Sequence, residues 1–231
     1  DNIPVRADRG AVVGYSIPVD PDDFNHVFGF MAGGSVYETF DGGDTWRKVE
    51  GGKSLSFKRG HCFRDAEGNL KFIGCTSGGW NSSVFISEDT CRTWTKVVIP
   101  DSIKDTNPSN GAKGAWFQEV AFDLNDRNKI YLPTSRSIYY FDDGATSTIV
   151  NGVRTYNIKK MHFTVYDRDS TVVRHPDDEP ENTGIFPQAG TQPGYLCVSP
   201  QNPDCMWFMC SRPANYQGLY RTSDGGKTWI T

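Results

Sequence analysis

The stretch TSDGGKTW, Thr222 to Trp229, lies near the end of the chain, and a close copy, TFDGGDTW, occupies Thr39 to Trp46. An aspartate side chain can accept hydrogen bonds from the backbone N–H groups that follow it, and glycine supplies the positive φ that such a turn needs. The closing tryptophan is large and apolar and suits packing over the turn. Each copy therefore predicts a tight turn between two strands with its own hydrophobic lid.

Two further copies of this turn occur between the first and the last. SEDTCRTW ends at Trp94, and a weaker copy, FDDGAT, ends at Thr146. The first two intervals between the aspartates are close to the roughly 40 to 50 residues of a propeller blade. An aliphatic and an aromatic residue precede each turn, and these pairs are Val36-Tyr37, Val84-Phe85, Ile138-Tyr139 and Leu219-Tyr220.

A second repeated phrase, a strand, a polar turn and another strand, lies upstream of each aspartate turn. It is clearest in EVAFDLNDRNKIYLPTS (119–135) and YLCVSPQNPDCMWFMCS (195–211). Short β-rich runs bounded by turn residues predict hairpins, and two hairpins per repeat make a four-stranded unit. The chain is thus interpreted as one all-β domain, 1–231, of about four blades. Their approximate bounds are 11–58, 59–113, 114–165 and 193–231, with a polar insertion at 166–192.

The S/T-x-D-x-G-x-x-W pattern resembles the Asp-box, or bacterial neuraminidase repeat, of sialidases, sortilin-type receptor domains and xyloglucanase-like glycoside hydrolases. The longer phrase is most similar to the xyloglucanase and sortilin branch. The resemblance implies a β-propeller that is part of a larger ring, completed by remaining blades or by a second chain. It also implies that the Asp-boxes are structural and lie away from the ligand. The residues concerned are Asp41, Trp46, Asp89, Trp94, Asp143, Asp224 and Trp229.

Composition agrees with a secreted all-β protein. The chain of 231 residues is long enough for a substantial core, and 24 Gly and 13 Pro provide many turns. There is no long apolar segment that would span a membrane. The net charge of −4 and the lack of a basic stripe argue against nucleic acid as a partner. The chain begins at Asp1 without Met, so we expect a processed or excised chain located outside the cell or at its surface.

Six cysteines fit an oxidising compartment. The pairs Cys62/Cys75 and Cys197/Cys210 each flank a hairpin, and centring that hairpin places the two members opposite each other, where a disulfide would fit. The alternative is buried free thiols that pack as small hydrophobic groups. No closely spaced Cys/His cluster occurs, so neither a metal nor a cofactor is expected. Asn81 begins a glycosylation sequon.

In a propeller, the loop entering each innermost strand and the loop joining the second and third strands build the ligand face. Exposed aromatic side chains beside Arg are typical of sugar recognition, because ring faces stack on sugars and polar edges fix hydrogen bonds. For Trp116 the alternative is a place in the core. The predicted glycan-binding residues on these loops and their edges are Arg59, Trp80, Trp116, Arg212 and Tyr216.

Glycoside hydrolysis requires two carboxylates that flank the scissile bond. Glu119, on a predicted inner strand, is the best-placed free carboxylate, whereas the acidic run at 177–181 is better interpreted as a solvated loop. The arginine triad and Tyr/Glu pair that a sialidase resemblance would imply are not recognisable. Three classes therefore stay open: a secreted enzyme that binds and hydrolyses polysaccharide, a non-catalytic module that recognises a glycan or protein, and a structural propeller within a larger assembly.

Overall fold

The computed structural model describes residues 17–31, 34–55, 57–76, 79–106, 110–117, 119–166, 171, 186, 194–210 and 218–231. Over these residues the chain is all-β, as the sequence predicts, and its helical content is one short 3-10 turn, Asp101–Ile103. Most strand pairs are antiparallel and join neighbours in the sequence. No helix in this part of the chain is long and apolar enough to cross a bilayer.

Four larger sheets follow one another along the chain. Sheet 1 contains β1 (Val19–Asp20), β2 (Asp23–Phe30), β3 (Ser35–Thr39) and β4 (Arg47–Lys53). Sheet 2 contains β5 (Phe57–Arg64), β6 (Leu70–Thr76), β7 (Val84–Ser87) and β8 (Thr95–Lys96). A small hairpin, β9 (Asp105–Thr106) with β10 (Lys113–Gly114), leads to the third sheet.

Sheet 3 contains β11 (Ala121–Phe122), β12 (Ile130–Pro133), β13 (Ile138–Phe141) and, after the hairpin β14 (Ser147–Val150) and β15 (Val153–Tyr156), β16 (Lys159–Lys160). Sheet 4 contains β17 (Thr164–Tyr166), β18 (Gly194–Val198), β19 (Met206–Cys210), β20 (Gly218–Thr222) and β21 (Thr228–Ile230). Its strand order is β17-β21-β20-β19-β18, and β17 runs parallel to β21.

The sheets pack face to face in chain order. We call the face of a sheet that looks toward the preceding sheet its front and the opposite face its back. The back of sheet 1, with Phe28 and Val36, packs against the front of sheet 2, with Phe57 and Phe72. The rings of Phe28 and Phe72 meet edge to face with centroids 4.7 Å apart. Because side chains alternate between the two faces of a strand, each sheet can contribute to two such cores.

The same contact recurs twice more. The back of sheet 2 and the front of sheet 3 share a core that contains Ile73, Val84 and Tyr139. The core between the back of sheet 3 and the front of sheet 4 contains Ile138 and Trp229. Three successive back-to-front cores thus hold four sheets in one series.

The insertion adds one buried aromatic residue to the last of these cores. Phe186 is fully buried, and its ring stacks on Phe208 with centroids 3.9 Å apart. Its backbone N–H donates to the carbonyl of Arg136 at 2.7 Å. The insertion is therefore attached to sheets 3 and 4 at this residue.

Three of the four aspartate turns share one hydrogen-bond pattern. In sheet 4, Asp224 Oδ1 accepts from the backbone N–H of Thr228 at 2.9 Å and from the hydroxyl of Thr222 at 2.7 Å. Trp229 Nε1 donates to the carbonyl of Gly226 at 3.1 Å and closes the turn. Burial raises the pKa of Asp224, but the hydrogen bonds that Asp224 accepts from Thr228, Thr222 and Lys227 lower the pKa by more. The net pKa therefore lies below its ordinary value.

The turns of sheets 1 and 2 repeat the contacts of the aspartate, but only Trp46 closes its own turn, by donating to the carbonyl of Gly43 at 2.9 Å; Trp94 Nε1 donates instead to the carbonyl of Lys53 in sheet 1 at 2.7 Å. Thr45 N–H donates to Asp41 Oδ1 at 2.9 Å, and Thr93 N–H donates to Asp89 Oδ1 at 2.8 Å. A hydroxyl two residues before each aspartate also donates to it; the two pairs are Thr39 with Asp41 and Ser87 with Asp89. The pKa of both carboxyls is lowered.

The turn of sheet 3 differs. Phe141 stands where the other copies have Thr or Ser, and it is buried in the core. Asp143 Oδ1 is buried and has no hydrogen-bond partner among the residues that the structure describes. Burial, as the largest cause, raises the pKa of Asp143. The aspartate is kept in this copy without its hydroxyl partner.

The predicted disulfides are wrong. In sheet 2, Cys62 is opposite Phe72, whereas Cys75 is opposite Arg59, so the hairpin is not centred between the two cysteines. Cys62 lies in the core with sheet 1 and Cys75 in the core with sheet 3, on opposite faces. Both are free thiols, and burial raises the pKa of Cys62 to about 12.

The same error of register applies to the second predicted disulfide. Cys197 is opposite Trp207, and Cys210 is opposite Gly194. Cys197 is a free thiol. The alternative of free thiols therefore holds for Cys62, Cys75 and Cys197, although Cys197 is exposed rather than buried.

Candidate functional site

Glu119 meets two basic side chains of the neighbouring sheet. Its Oε1 lies 3.1 Å from His61 Nε2, and its Oε2 lies 3.4 Å from Arg59 Nε. Its own Oε1 also accepts from the backbone N–H of Val120 at 3.0 Å. All three side chains of this cluster keep part of their surface open to solvent, 18 % for Glu119, 25 % for Arg59 and 27 % for His61. A ligand can therefore reach them.

The electrostatics of this cluster keep Glu119 ionised. Burial raises the pKa of Glu119, but hydrogen bonds from His61 and Val120 and the nearby charges of His61 and Arg59 lower it more, so that the net pKa lies below its ordinary value. At neutral pH the carboxylate is an acceptor of hydrogen bonds, and Arg59 supplies donors beside it. Such a mixed set of donors and acceptors suits ligands that carry hydroxyl groups.

The strands explain why the cluster forms. Arg59 and His61 alternate along β5, so they share the face of sheet 2 that looks toward sheet 3. His61 also packs edge to face on Phe122 of β11, with ring centroids 5.7 Å apart. Glu119 lies just before β11, the first strand of sheet 3. The cluster therefore bridges the first strands of two neighbouring sheets.

A groove of about 390 Å³ lies near the same pair of sheets. Among its lining residues are Trp80, Asn81 and three lysines, Lys96, Lys104 and Lys113. Lys104 Nζ lies 2.5 Å from a carboxylate oxygen of the exposed Asp101, and Lys113 Nζ donates to the hydroxyl of Thr106 at 2.8 Å. The groove thus combines an aromatic side chain with an excess of positive charge.

The chain entering sheet 3 connects the groove to the Glu119 cluster. The backbones of Asn81 and Ala115 form an isolated parallel β-bridge. The hydroxyl of Ser82 donates to the carbonyl of Ala115 at 3.0 Å and accepts from Phe117 N–H at 2.6 Å. A Cβ atom on Gly114 would lie 2.3 Å from the backbone oxygen of Trp80, so only glycine permits this approach. The segment 113–117, which precedes Glu119 in the sequence, therefore lies beside the groove and leads to the cluster.

The structure brings together some of the predicted site residues. Arg59 and Glu119 are in contact, and Trp80 lines the groove on the same side of the molecule. Trp116 lies on the connecting segment and is partly exposed, while Phe117 beside it is fully buried. Arg212, Tyr216 and the acidic run at 177–181 lie outside the described residues.

Two contributors were not identified from the sequence. His61 follows Arg59 by two residues, and this spacing within one strand would have placed both on one face. The cationic groove was also missed as a unit, because its lysines come from separate segments at 96, 104 and 113, although Lys113 lies on one of the loops predicted to face the ligand. In the part of the chain that the structure describes, no group of three or more His, Cys, Asp or Glu side chains is placed to hold a metal ion.

Comparison with known proteins gives a fold but no family. No family model matches the chain. No curated protein matches it either. An ancestral GH74 enzyme has a similar solved structure, with 14 % identity and a TM-score of 0.55, and the match covers 98 % of this chain and 25 % of that one. This chain therefore spans about a quarter of the length of that enzyme.

Other solved structures match more weakly. The GH74 xyloglucanase from Xanthomonas campestris matches with 15 % identity and a TM-score of 0.42, over 93 % of this chain and 37 % of that one. PorZ, a surface component of the type-IX secretion system of Porphyromonas gingivalis, matches with 12 % identity and a TM-score of 0.46, over 96 % and 28 %. The similarity to the ancestral GH74 enzyme supports a propeller-like fold, and at this identity it extends to the fold alone.

Proposed function

We propose that this chain is a propeller-type domain with Asp-box repeats that binds an anionic polysaccharide at the end of its sheets opposite the aspartate turns. The observation that carries the proposal is the groove that places Trp80 beside Lys96, Lys104 and Lys113. Sugar rings stack on aromatic faces, and ammonium groups attract carboxylate or sulfate substituents. The Glu119 cluster extends this surface with hydrogen-bonding groups.

The four sheets are proposed to be four blades of a larger ring, with the approximate bounds that the repeats predict. The back-to-front packing of the sheets supports this arrangement, as does the similarity in fold to an ancestral GH74 enzyme. A polysaccharide ligand fits a location outside the cell or at its surface. Asn81, at the edge of the groove, is exposed and is proposed as the attachment site of a glycan of the protein's own.

Binding without hydrolysis agrees best with the electrostatics of Glu119. A general acid in a glycosidase must be protonated at the working pH, and enzymes achieve this by raising the pKa of the carboxyl. The pKa of Glu119 is instead lowered. Glu119 is therefore proposed to bind sugar hydroxyl groups. Catalysis with Glu119 as a base or nucleophile is the second candidate, favoured by its place beside an inner strand.

The first experiment measures the binding of polygalacturonate, a uronic acid polymer, and of the neutral polymer xyloglucan by calorimetry. We expect polygalacturonate to bind more tightly and its binding to weaken as salt is raised, because exposed charges are screened. Trp80→Ala should reduce the affinity about tenfold, by analogy with the roughly 1 to 3 kcal/mol per base that stacking on an aromatic side chain contributes in single-stranded nucleic-acid complexes. If neither polymer binds, or Trp80→Ala binds as the wild type does, the proposal is wrong.

Lysine variants provide a matched pair. Lys113→Gln removes a positive charge from the groove, whereas Lys48→Gln removes one from the exposed strand β4 of sheet 1. We expect only Lys113→Gln to weaken polygalacturonate binding and to reduce its salt dependence. Equal effects of the two variants would mean that the net charge of the protein, and not the groove, attracts the polymer.

Hydrolysis is tested by the release of reducing ends from both polymers. If the protein only binds, the wild type should release no more reducing ends than a heat-denatured control, and Glu119→Gln should bind polygalacturonate less tightly than the wild type. Release by the wild type that is lost in Glu119→Gln, with affinity unchanged, would favour the catalytic candidate. Melting temperatures of both proteins show whether either effect comes from misfolding.

A further inference from the structure

The back of sheet 4 exposes a row of large apolar side chains. Leu219 is 56 % exposed, Met209 50 % and Trp207 38 %. Met209 and Leu219 are direct partners across β19 and β20, and Trp207 is opposite Arg221 one pair along. The front of the same strands is buried, because Tyr220 and Phe208 pack on sheet 3. The apolar row therefore covers the one face of sheet 4 that contacts no described sheet.

Comparison of equivalent positions in the repeat indicates the role of this face. Leu219 is the aliphatic member of the pair that precedes the aspartate turn, and its counterparts are Val36, Val84 and Ile138. All three counterparts lie on the back of their sheets and are 0 to 1 % exposed, since the next sheet covers them. Position for position, the back of sheet 4 is thus a sheet-packing face on which no sheet of the described residues packs.

The same chain carries a matching surface at its other end. In sheet 4, Tyr220 and Trp229 form the front that receives sheet 3, and they are 1 % and 0 % exposed. Their counterparts on the front of sheet 1 are Tyr37 and Trp46, which are both partly exposed. Val19 of β1, paired with Val27 on this front, is 39 % exposed. Among the described residues, both faces that would form one sheet-to-sheet contact are therefore left without a partner sheet.

We propose that the back of sheet 4 in one copy packs against the front of sheet 1 in a second copy. This head-to-tail contact repeats the geometry of the three cores inside the chain. Two such contacts would close a ring of eight sheets, which removes both open faces. The inference rests on the propeller-like series of sheets and is independent of polysaccharide binding. The driving force is burial of apolar surface, which is proportional to the area removed from water.

The test is the oligomeric state of the full 231-residue chain by sedimentation velocity over a range of concentrations. We expect a monomer–dimer equilibrium that Leu219→Glu shifts toward the monomer by at least tenfold in Kd. Leu124→Glu is the matched control, because Leu124 is 73 % exposed in the turn between β11 and β12, away from either face. Both variants replace an exposed leucine, so neither should appreciably lower the melting temperature of the monomer, measured at a concentration well below the wild-type Kd.

The front of sheet 1 is tested by Val19→Glu, which should weaken association as Leu219→Glu does. A mixture of the two variants retains one intact face on each partner, so it should associate more strongly than either variant alone. A wild-type chain that remains monomeric at 100 µM would overturn the proposal, as would dimers that Leu219→Glu disrupts but Val19→Glu does not, since those would pair sheet 4 with sheet 4. Failure of this test leaves polygalacturonate binding unchanged, so the two proposals are separable.

Discussion

The turns of sheets 4 and 3 both have an aspartate at the same position of the repeat, but the pKa values of the two carboxyls shift in opposite directions. Asp224 is surrounded by donors from its own turn, and its pKa is lowered, whereas the pKa of Asp143 is raised by burial. Among the sequence changes that separate the two turns, Thr222 in one copy is Phe141 in the other, and Trp229 is Thr148. The hydroxyl two residues before the aspartate is thus one of the donors that the turn of sheet 3 lacks, and there Asp143 Oδ1 is buried without a hydrogen-bond partner among the described residues.

The largest effect is expected from removing the aspartate of an intact turn. Asp224→Ala leaves the backbone N–H groups of Lys227 and Thr228 without their acceptor and should lower the free energy of unfolding by roughly 1 to 3 kcal/mol. Denaturant unfolding measures this. Asp44→Ala, at an exposed position in the turn of sheet 1, is the control and should change little. If the denaturant midpoint of Asp224→Ala equals that of the wild type, the aspartate does not stabilise the turn of sheet 4, and the contrast with sheet 3 is wrong.

The second prediction concerns a variant of sheet 4 whose turn lacks the same hydroxyl as the turn of sheet 3. Thr222 is buried, and its hydroxyl donates to Asp224 and accepts from Gly226 N–H at 3.1 Å. Thr222→Val keeps the shape and removes these bonds, so we expect a loss of about 1 to 2 kcal/mol in the free energy of unfolding. The pKa of Asp224, measured by NMR titration, should rise in this variant. A pKa that stays low would mean that the hydroxyl is not what distinguishes the two turns.

A smaller gain is expected in sheet 2. Thr90 and Cys91 have φ values of 56° and 63°, at positions where sheets 1 and 4 have glycines. A β-branched residue is strained at positive φ, so Thr90→Gly should raise the free energy of unfolding by up to about 1 kcal/mol. The matched reversal, Gly225→Ala in sheet 4, should lower it by a similar amount, since Gly225 has a φ of 71°. Opposite signs are the expected result, and a loss in both would contradict the equivalence of the positions.

The smallest effect concerns Asp143 and depends on pH. A raised folded pKa means that its contribution to stability is present below the unfolded pKa, about 3.9, and is lost as the pH rises through the folded pKa. Asp143→Asn removes the buried charge, so it should be more stable than the wild type at pH 7, and the difference should shrink as the pH falls below about 4. Asp224→Asn should be less stable at pH 7. Equal signs for the two variants would contradict the comparison.

Much of the fold could be predicted because its signals are local. The aspartate, the glycines and the hydroxyl of each turn lie within a few residues, so the repeat predicts antiparallel hairpins and an all-β chain, and both predictions are confirmed. The register of the hairpins is less local. The turn between β5 and β6 is not centred between Cys62 and Cys75. The two cysteines are therefore not opposite each other, and they lie as free thiols on opposite faces of the sheet.

The site was only partly predictable because its contacts are long-range. Arg59 and Glu119 were each identified as candidates, but their contact depends on how sheet 2 packs on sheet 3. His61 completes the cluster across 58 positions of sequence. The parallel pairing of β17 with β21 is equally non-local, since a strand from before the insertion adds to the sheet after it. None of these follows from spacing within one repeat.

The most direct test of the account compares two variants in two assays, melting temperature and affinity for polygalacturonate. Asp224→Ala should lower the melting temperature and, in the folded protein, leave the affinity unchanged. Trp80→Ala should lower the affinity about tenfold and leave the melting temperature near that of the wild type. If Asp224→Ala loses affinity at temperatures where it is fully folded, while Trp80→Ala retains it, the turns and not the groove contact the ligand, and the assignment of the two ends of the sheets is reversed.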